Sequence, residues 1–155
     1  MVNRLLFIGR VLVSAGCCVW LVGVMVAVLS ACSRTPTYEE CVSRTLSTMF
    51  PADSLRQYKY VVLIPGAGCV GCITEAENFF TTHAHDRSTL FIFTRVLSVK
   101  KMGIKMGREN LSLPNVYIDK ENRFYFEQYD KCIYPCLIYL EDGKPERFAN
   151  LDERM

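Results

Sequence analysis

The sequence predicts an α/β fold with a mixed sheet, and three observations lead there. Short β-branched and aromatic runs alternate with helical stretches from residue 58 onward, the last stretch doubles back through Glu141-Asp142-Gly143-Lys144, and the length suits one core. A chain of 155 residues holds one domain of ordinary size and not two substantial ones. Its 50% hydrophobic residues are enough to bury a core, which excludes disordered, collagen-like and coiled-coil classes.

The N-terminal segment comes first. Residues 1–10 hold Arg4 and Arg10 and no acid, and residues 11–29 hold no charge at all. As a helix, that run reaches about 28 Å, near the ~30 Å hydrocarbon thickness, so length alone permits a signal peptide or a spanning helix. Leu29-Ser30-Ala31-Cys32 resembles the lipobox of bacterial lipoproteins, in which the cysteine is acylated and the chain is cut just before it. The resemblance implies a signal peptide over 1–31 and lipidation of Cys32, and two acyl chains would anchor where one cannot. The alternative is an uncleaved anchor helix with Cys32 at its end. Either reading places residues 33–155 outside the cytoplasm. Ser33 after Cys32 resembles lipoproteins sent to an outer membrane, so the expected location is the bacterial cell envelope, facing the periplasm. Cys17 and Cys18, inside the apolar run, read as small hydrophobes that leave with the signal.

Residues 32–57 read as a tether and an N-terminal helix. Thr37-Tyr38-Glu39-Glu40 fits a capping box, and Cys41, Val42, Leu46 and Met49 recur on one apolar face before Pro51 stops the helix. Residues 58–155 form the α/β domain. Strands are expected over 58–64, 89–95, 115–119, 136–140 and 145–149, helices over 75–82 and 98–110, and Gly143 takes the hairpin position that needs positive φ.

The formal charge of +2 comes from Arg4 and Arg10, so past position 32 the chain is neutral. No basic stripe marks it as a nucleic-acid binder. Lys100, Lys101, Lys105 and Arg108 make a modest basic face, read as solvated helix surface, with contact to anionic lipid as the functional alternative.

Five cysteines remain beyond Cys32: Cys41, Cys69, Cys72, Cys132 and Cys136. An odd number in an exported chain disfavours a purely structural disulfide framework. Cys69-Val70-Gly71-Cys72 follows a strand and precedes a helix, the context in which a CxxC reads as a redox motif. At the first turn of a helix Cys69 meets unsatisfied N–H groups and the positive end of the dipole, which favour its thiolate. Cys69 is then the nucleophile and Cys72 the resolver of a mixed disulfide.

These residues resemble the thioredoxin-fold thiol-disulfide oxidoreductases, particularly their exported, lipoprotein-anchored branch. The resemblance covers most of residues 58–150, including Ile118-Asp119, an irregular helix near 124–129, Tyr134-Pro135 and Asp142-Gly143-Lys144. It implies a thioredoxin-like three-layer fold with a central mixed sheet, an N-terminal helix added and the C-terminal helix missing or truncated to a remnant at Asp152-Glu153-Arg154. It also implies a cis Tyr134–Pro135 bond beside the CxxC, with Tyr134 and Pro135 lining a substrate groove and keeping metals off the thiols. Three departures stand out. Gly66-Ala67-Gly68 replaces the usual Trp segment, Val70-Gly71 replaces Gly-Pro, and Leu63 stands where the family often has a buried acid.

Cys132 and Cys136, flanking Pro135, stand as a second redox pair, a structural pair or part of a soft-metal site, and the spacing decides among none of these. Cys41 reads as a buried helix-face residue. His83 and His85 fall at the far end of the helix, roughly 15 Å from Cys72 by helix geometry, too far for one metal to bridge. The leading expectation is membrane-tethered disulfide exchange with exported proteins, a chemistry that needs no cofactor. A non-catalytic thioredoxin-fold binding module or Cu/Zn carrier is the alternative, and a static disulfide in a structural lipoprotein the third reading.

Overall fold

The computed structural model describes residues 34–151. The signal peptide, Cys32 and the C-terminal remnant expected from sequence lie outside the described residues. Among those described, no helix is long and apolar enough to cross a membrane.

Helix α1 spans Tyr38–Met49 and opens on the predicted capping box: the Thr37 side chain accepts from the Glu40 N–H, and the Glu40 carboxylate accepts from the Thr37 N–H. Its buried face is Tyr38, Val42 and Leu46. Cys41, expected to share that face, is only half-buried, because it lies to the side of the Tyr38–Val42–Leu46 stripe. After Pro51 a short helix α2, Ala52–Leu55, turns the chain into β1, Tyr60–Pro65. Helix α3, Val70–His83, starts at the CxxC itself, and β2 follows at Thr89–Thr94.

The basic stretch expected as one helix over 98–110 is two, α4 at Val99–Met106 and α5 at Arg108–Leu111. Gly107, at φ +88°, makes the break. Gly103 leaves α4 intact and instead admits the Arg108 side chain, whose Cγ would sit 3.0 Å from any added Cβ. Strand β3 is Val116–Ile118, and β4, Cys136–Glu141, turns at Asp142-Gly143 into β5, Lys144–Asn150. Both turn residues have positive φ, as a tight hairpin requires.

The five strands form one sheet in the order β3-β2-β1-β4-β5. β1, β2 and β3 run parallel, while β4 is antiparallel to β1 and β5 to β4. The pleat of β1 divides the core. Val62 and Ile64 face Phe80, Phe91 and Phe93 under α3, while Val61 and Leu63 face Leu46, Ile92 and Ile138 under α1. With helices against both faces, the molecule is a three-layer α/β arrangement.

Two expectations in the segment before β4 are corrected. The irregular helix expected near 124–129 is instead a series of turns, followed by a 3-10 helix at Asp130–Ile133. The aromatic residues there are drawn to separate partners, Phe124 into the core and Phe126 and Tyr129 edge-on to Tyr38, both at 6.1 Å. The Phe126 N–H accordingly goes to the Cys132 sulfur. Nor is the Tyr134–Pro135 bond cis: every described peptide bond is trans, the form an X-Pro bond favours by about 0.5–1 kcal/mol when nothing around it selects the other.

Candidate functional site: a dithiol at a helix N-terminus

The site stands at the carboxyl end of the central strand. β1 delivers Pro65 beside Thr94, and the Gly66 N–H donates to the Thr94 carbonyl at 2.7 Å. Gly66 lies so close to the backbone of Arg95 that a Cβ would stand 2.8 Å from its carbonyl oxygen. Gly68 adopts φ +148°, where an added Cβ would fall 2.5 Å from the Ile133 carbonyl oxygen. Only glycine permits both the backbone angle and the approach. These contacts press the loop against the chain just before Tyr134 and Pro135, and the Cys69 N–H donates to the Ile133 carbonyl at 3.4 Å.

Cys69 is the N-cap residue of α3, and its carbonyl accepts the first helical bond, from the Ile73 N–H at 2.9 Å. Its Sγ lies 2.6 Å from the Sγ of Cys72, and both residues are half-buried thiols. The Cys69 thiol is held below the ordinary thiol range, first by the hydrogen bond from Cys72 and then by the backbone N–H groups of Cys72 and Gly71, with Glu75 opposing. Cys72 is pushed the other way, chiefly because it serves as the donor to Cys69 and is partly desolvated. The two thiols are therefore unequal: the thiolate is favoured at Cys69 and the thiol at Cys72.

Arg95 supports the loop from the β2 side. It takes the left-handed conformation at φ +53°, its N–H donates to the Asn122 side chain at 3.0 Å, and its guanidinium donates to the Ala67 carbonyl at 3.1 Å while lying 4.2 Å above the Tyr125 ring. Sequence reasoning missed this residue. The only signal for it is a cation directly after a buried strand, and nothing in the sequence announces its backbone conformation. Sequence reasoning also missed Ile133, whose role is carried by its carbonyl and so leaves no trace in the residue type.

Beyond Tyr134 and Pro135 opens a cleft of about 220 Å³ lined by Tyr38, Glu39, Lys131, Tyr134, Pro135 and Cys136, among others. Lys131 and Glu39 pair across it at 2.7 Å. Cys69 and Cys72 do not line this cleft. The Tyr38 hydroxyl is buried and has no hydrogen-bond partner among the described residues. Its acidity is suppressed, first by burial and then by the Cys136 and Cys132 sulfurs nearby.

Cys132 and Cys136 are separate thiols with separate surroundings. The Cys132 sulfur accepts from the Phe126 N–H and donates to the Phe126 carbonyl, both at 3.2 Å. Cys136 lies opposite Leu63 in the sheet, and burial pushes its thiol up to about 12. Burial also raises Cys132. Neither has the electrostatics of an attacking thiolate at neutral pH. Leu63, where an acid was looked for, is buried in the apolar cluster under α1.

The histidines are remote, as helix geometry required. His83 ends α3 stacked on Phe79 at 4.3 Å, with its Nδ1 2.9 Å from the Phe79 carbonyl. Among the described residues no three His, Cys, Asp or Glu side chains gather as a metal site. Asp119, a buried carboxylate, clamps the turn after β3: its Oδ2 accepts from the Thr94 hydroxyl at 2.9 Å and from the Phe124 N–H at 3.0 Å.

No protein family, curated protein or solved structure matches the chain. The functional reading therefore stands on the geometry of these residues.

Proposed function

We propose that the protein is a thioredoxin-like thiol-disulfide oxidoreductase of the bacterial cell envelope, tethered by a lipid on Cys32 and acting on exported proteins through Cys69 and Cys72. One observation carries the reading: two thiols 2.6 Å apart at a helix N-terminus, with Cys69 biased to thiolate and Cys72 to thiol. In the reducing direction the Cys69 thiolate attacks one sulfur of a partner disulfide, whose S–S bond breaks, and the departing thiolate takes up a proton. Cys72 then gives up its proton and attacks the Cys69 sulfur, which releases the second partner thiol and leaves the Cys69–Cys72 disulfide. Two electrons pass from the dithiol to the partner, and no cofactor enters. The reverse sequence oxidises a partner dithiol, and the potential of the pair sets the direction.

Support also comes from the contact between the Cys69 loop and the Ile133-Tyr134-Pro135 segment, which leaves Tyr134 45% exposed where a partner chain would approach. The carrier alternative, with Cu(I) or Zn(II) on Cys69 and Cys72, would draw its remaining ligands from a partner. The deciding experiment compares the wild type with Cys69→Ser in reduction of insulin disulfides. Turnover is expected to be lost with Cys69→Ser, and retained turnover would overturn the proposal. A glutathione titration of the wild type then gives the potential, and a pair that never titrates would equally refute it.

A further inference from the structure

We propose that the surface of α4 and the loop before it docks on an anionic lipid bilayer, independently of the disulfide chemistry. From Ser98 to Arg108 the chain carries four cations and no acid, in a domain whose charges sum to zero, so the remainder is net acidic. Such a block in a neutral domain is a charge asymmetry that attracts a negative partner.

The structure adds what the sequence does not show. Leu97 is 88% exposed and Ile104 70% exposed, and Val99, Lys100 and Lys101 between them are exposed as well. Within α4, Lys100 and Lys101 stand one helical turn before Ile104, so two cations neighbour an aliphatic group on the outer face, while Met102, Gly103 and Met106 turn inward. Lys105, beside Ile104 in sequence, is held by Glu77, whereas Lys100, Lys101 and Arg108 form no ion pair among the described residues. Glu109, just past Arg108, is the nearest acid in sequence.

Large exposed aliphatic side chains cost little where lipid covers them, and lysines beside them can keep their stems on the apolar surface with the charge among headgroups. A nucleic acid would use the cations and leave Leu97 and Ile104 in water. An acidic polypeptide would answer the charge and, like a nucleic acid, leave the two aliphatic side chains in water. A negatively charged bilayer satisfies both components at once, and the tether proposed at Cys32 would keep one within reach.

The test uses the lipidated protein beginning at Cys32, from which the one tryptophan, Trp20, has left with the signal peptide, and Ile104→Trp as the reporter, reconstituted in vesicles with brominated lipid. Quenching of the reporter is expected in vesicles containing phosphatidylglycerol and is expected to be weak in phosphatidylcholine alone. Adding Lys100→Gln and Lys101→Gln should lower the docked-to-undocked ratio about 25-fold, from a factor of about five per cation near an anionic surface. Leu97→Trp, a second exposed position, gives the same readout should the first variant perturb α4. An unquenched reporter in anionic vesicles overturns the proposal. So does quenching indifferent to headgroup charge and to the lysines, which would assign the contact to the tether alone. Release of the quenching by polyglutamate but not by an equal concentration of sulfate would assign the face to an acidic protein and overturn it too. Insulin reduction by the same variants is expected to match the wild type, so failure here leaves the disulfide proposal standing.

Discussion

At Cys69, backbone N–H groups and the Cys72 thiol favour the thiolate, and the Glu75 carboxylate one helical turn past Cys72 opposes it. The expected consequence is selective alkylation: iodoacetamide should modify Cys69 at a pH below that of an ordinary thiol, while Cys132 and Cys136, raised by burial, stay unmodified in the folded protein. Glu75→Gln should move the Cys69 profile to still lower pH, because it removes a charge that disfavours the anion. Peptide mass mapping across a pH series checks both, and an unmoved profile would show that Glu75 has no purchase on the site. The spacing and flanking elements of the CxxC make this much legible in sequence. The left-handed backbone of Arg95 and the carbonyl of Ile133 were not, since both act through conformation and not through residue type.

Gly68 shows how the turn between β1 and α3 holds the site together. With φ +148° and the Ile133 carbonyl where a Cβ would stand, Gly68→Ala is expected to cost about 1–3 kcal/mol and to push the Cys69 loop off the Ile133 segment. A lowered urea midpoint together with slowed insulin reduction checks this, and a midpoint equal to wild type would refute the constraint. Elements with strong local signals were legible: the capping box of α1, the buried strands and the hairpin at Gly143. The segment 124–135 was not, because its aromatic residues are apportioned among Tyr38, the core and the sheet by contacts far apart in sequence, and because the cis form expected at Pro135 came from the family resemblance, whereas the bond is trans. The apolar periodicity showed α3 only from residue 75, while the CxxC context placed Cys69 at its first turn, where the helix begins.

Across the molecule, the α/β class and the two-sided sheet followed from the order of strand and helix signals, while the division of the core between α1 and α3 needed the pleat of β1. The α1 side of that core carries a liability in alkali. Cys136, Cys132 and Tyr38 are neutral in the fold with acidities suppressed by burial, whereas in the unfolded chain thiols ionise near 8.5 and tyrosine near 10. Folding free energy is therefore fully present below about pH 8.5 and is lost as pH rises toward 12, at up to about 1.4 kcal/mol per pH unit for each thiol held neutral. Urea midpoints between pH 8 and pH 10.5 are expected to fall, and Tyr38→Phe, which also removes a buried hydroxyl without a partner, should raise the midpoint and soften the fall. A midpoint constant over that range would refute the assignment. The sheet has one more consequence, at its borders. β3 contributes only three residues, and the outer strand β5 opens with Lys144, Pro145, Glu146 and Arg147, where a proline withholds a donor and the neighbours are charged. Among the described residues, chains crowded side by side thus find one edge too short and the other charged and proline-broken, and the strongly β-forming segments at the centre stay shielded from growth into fibrils.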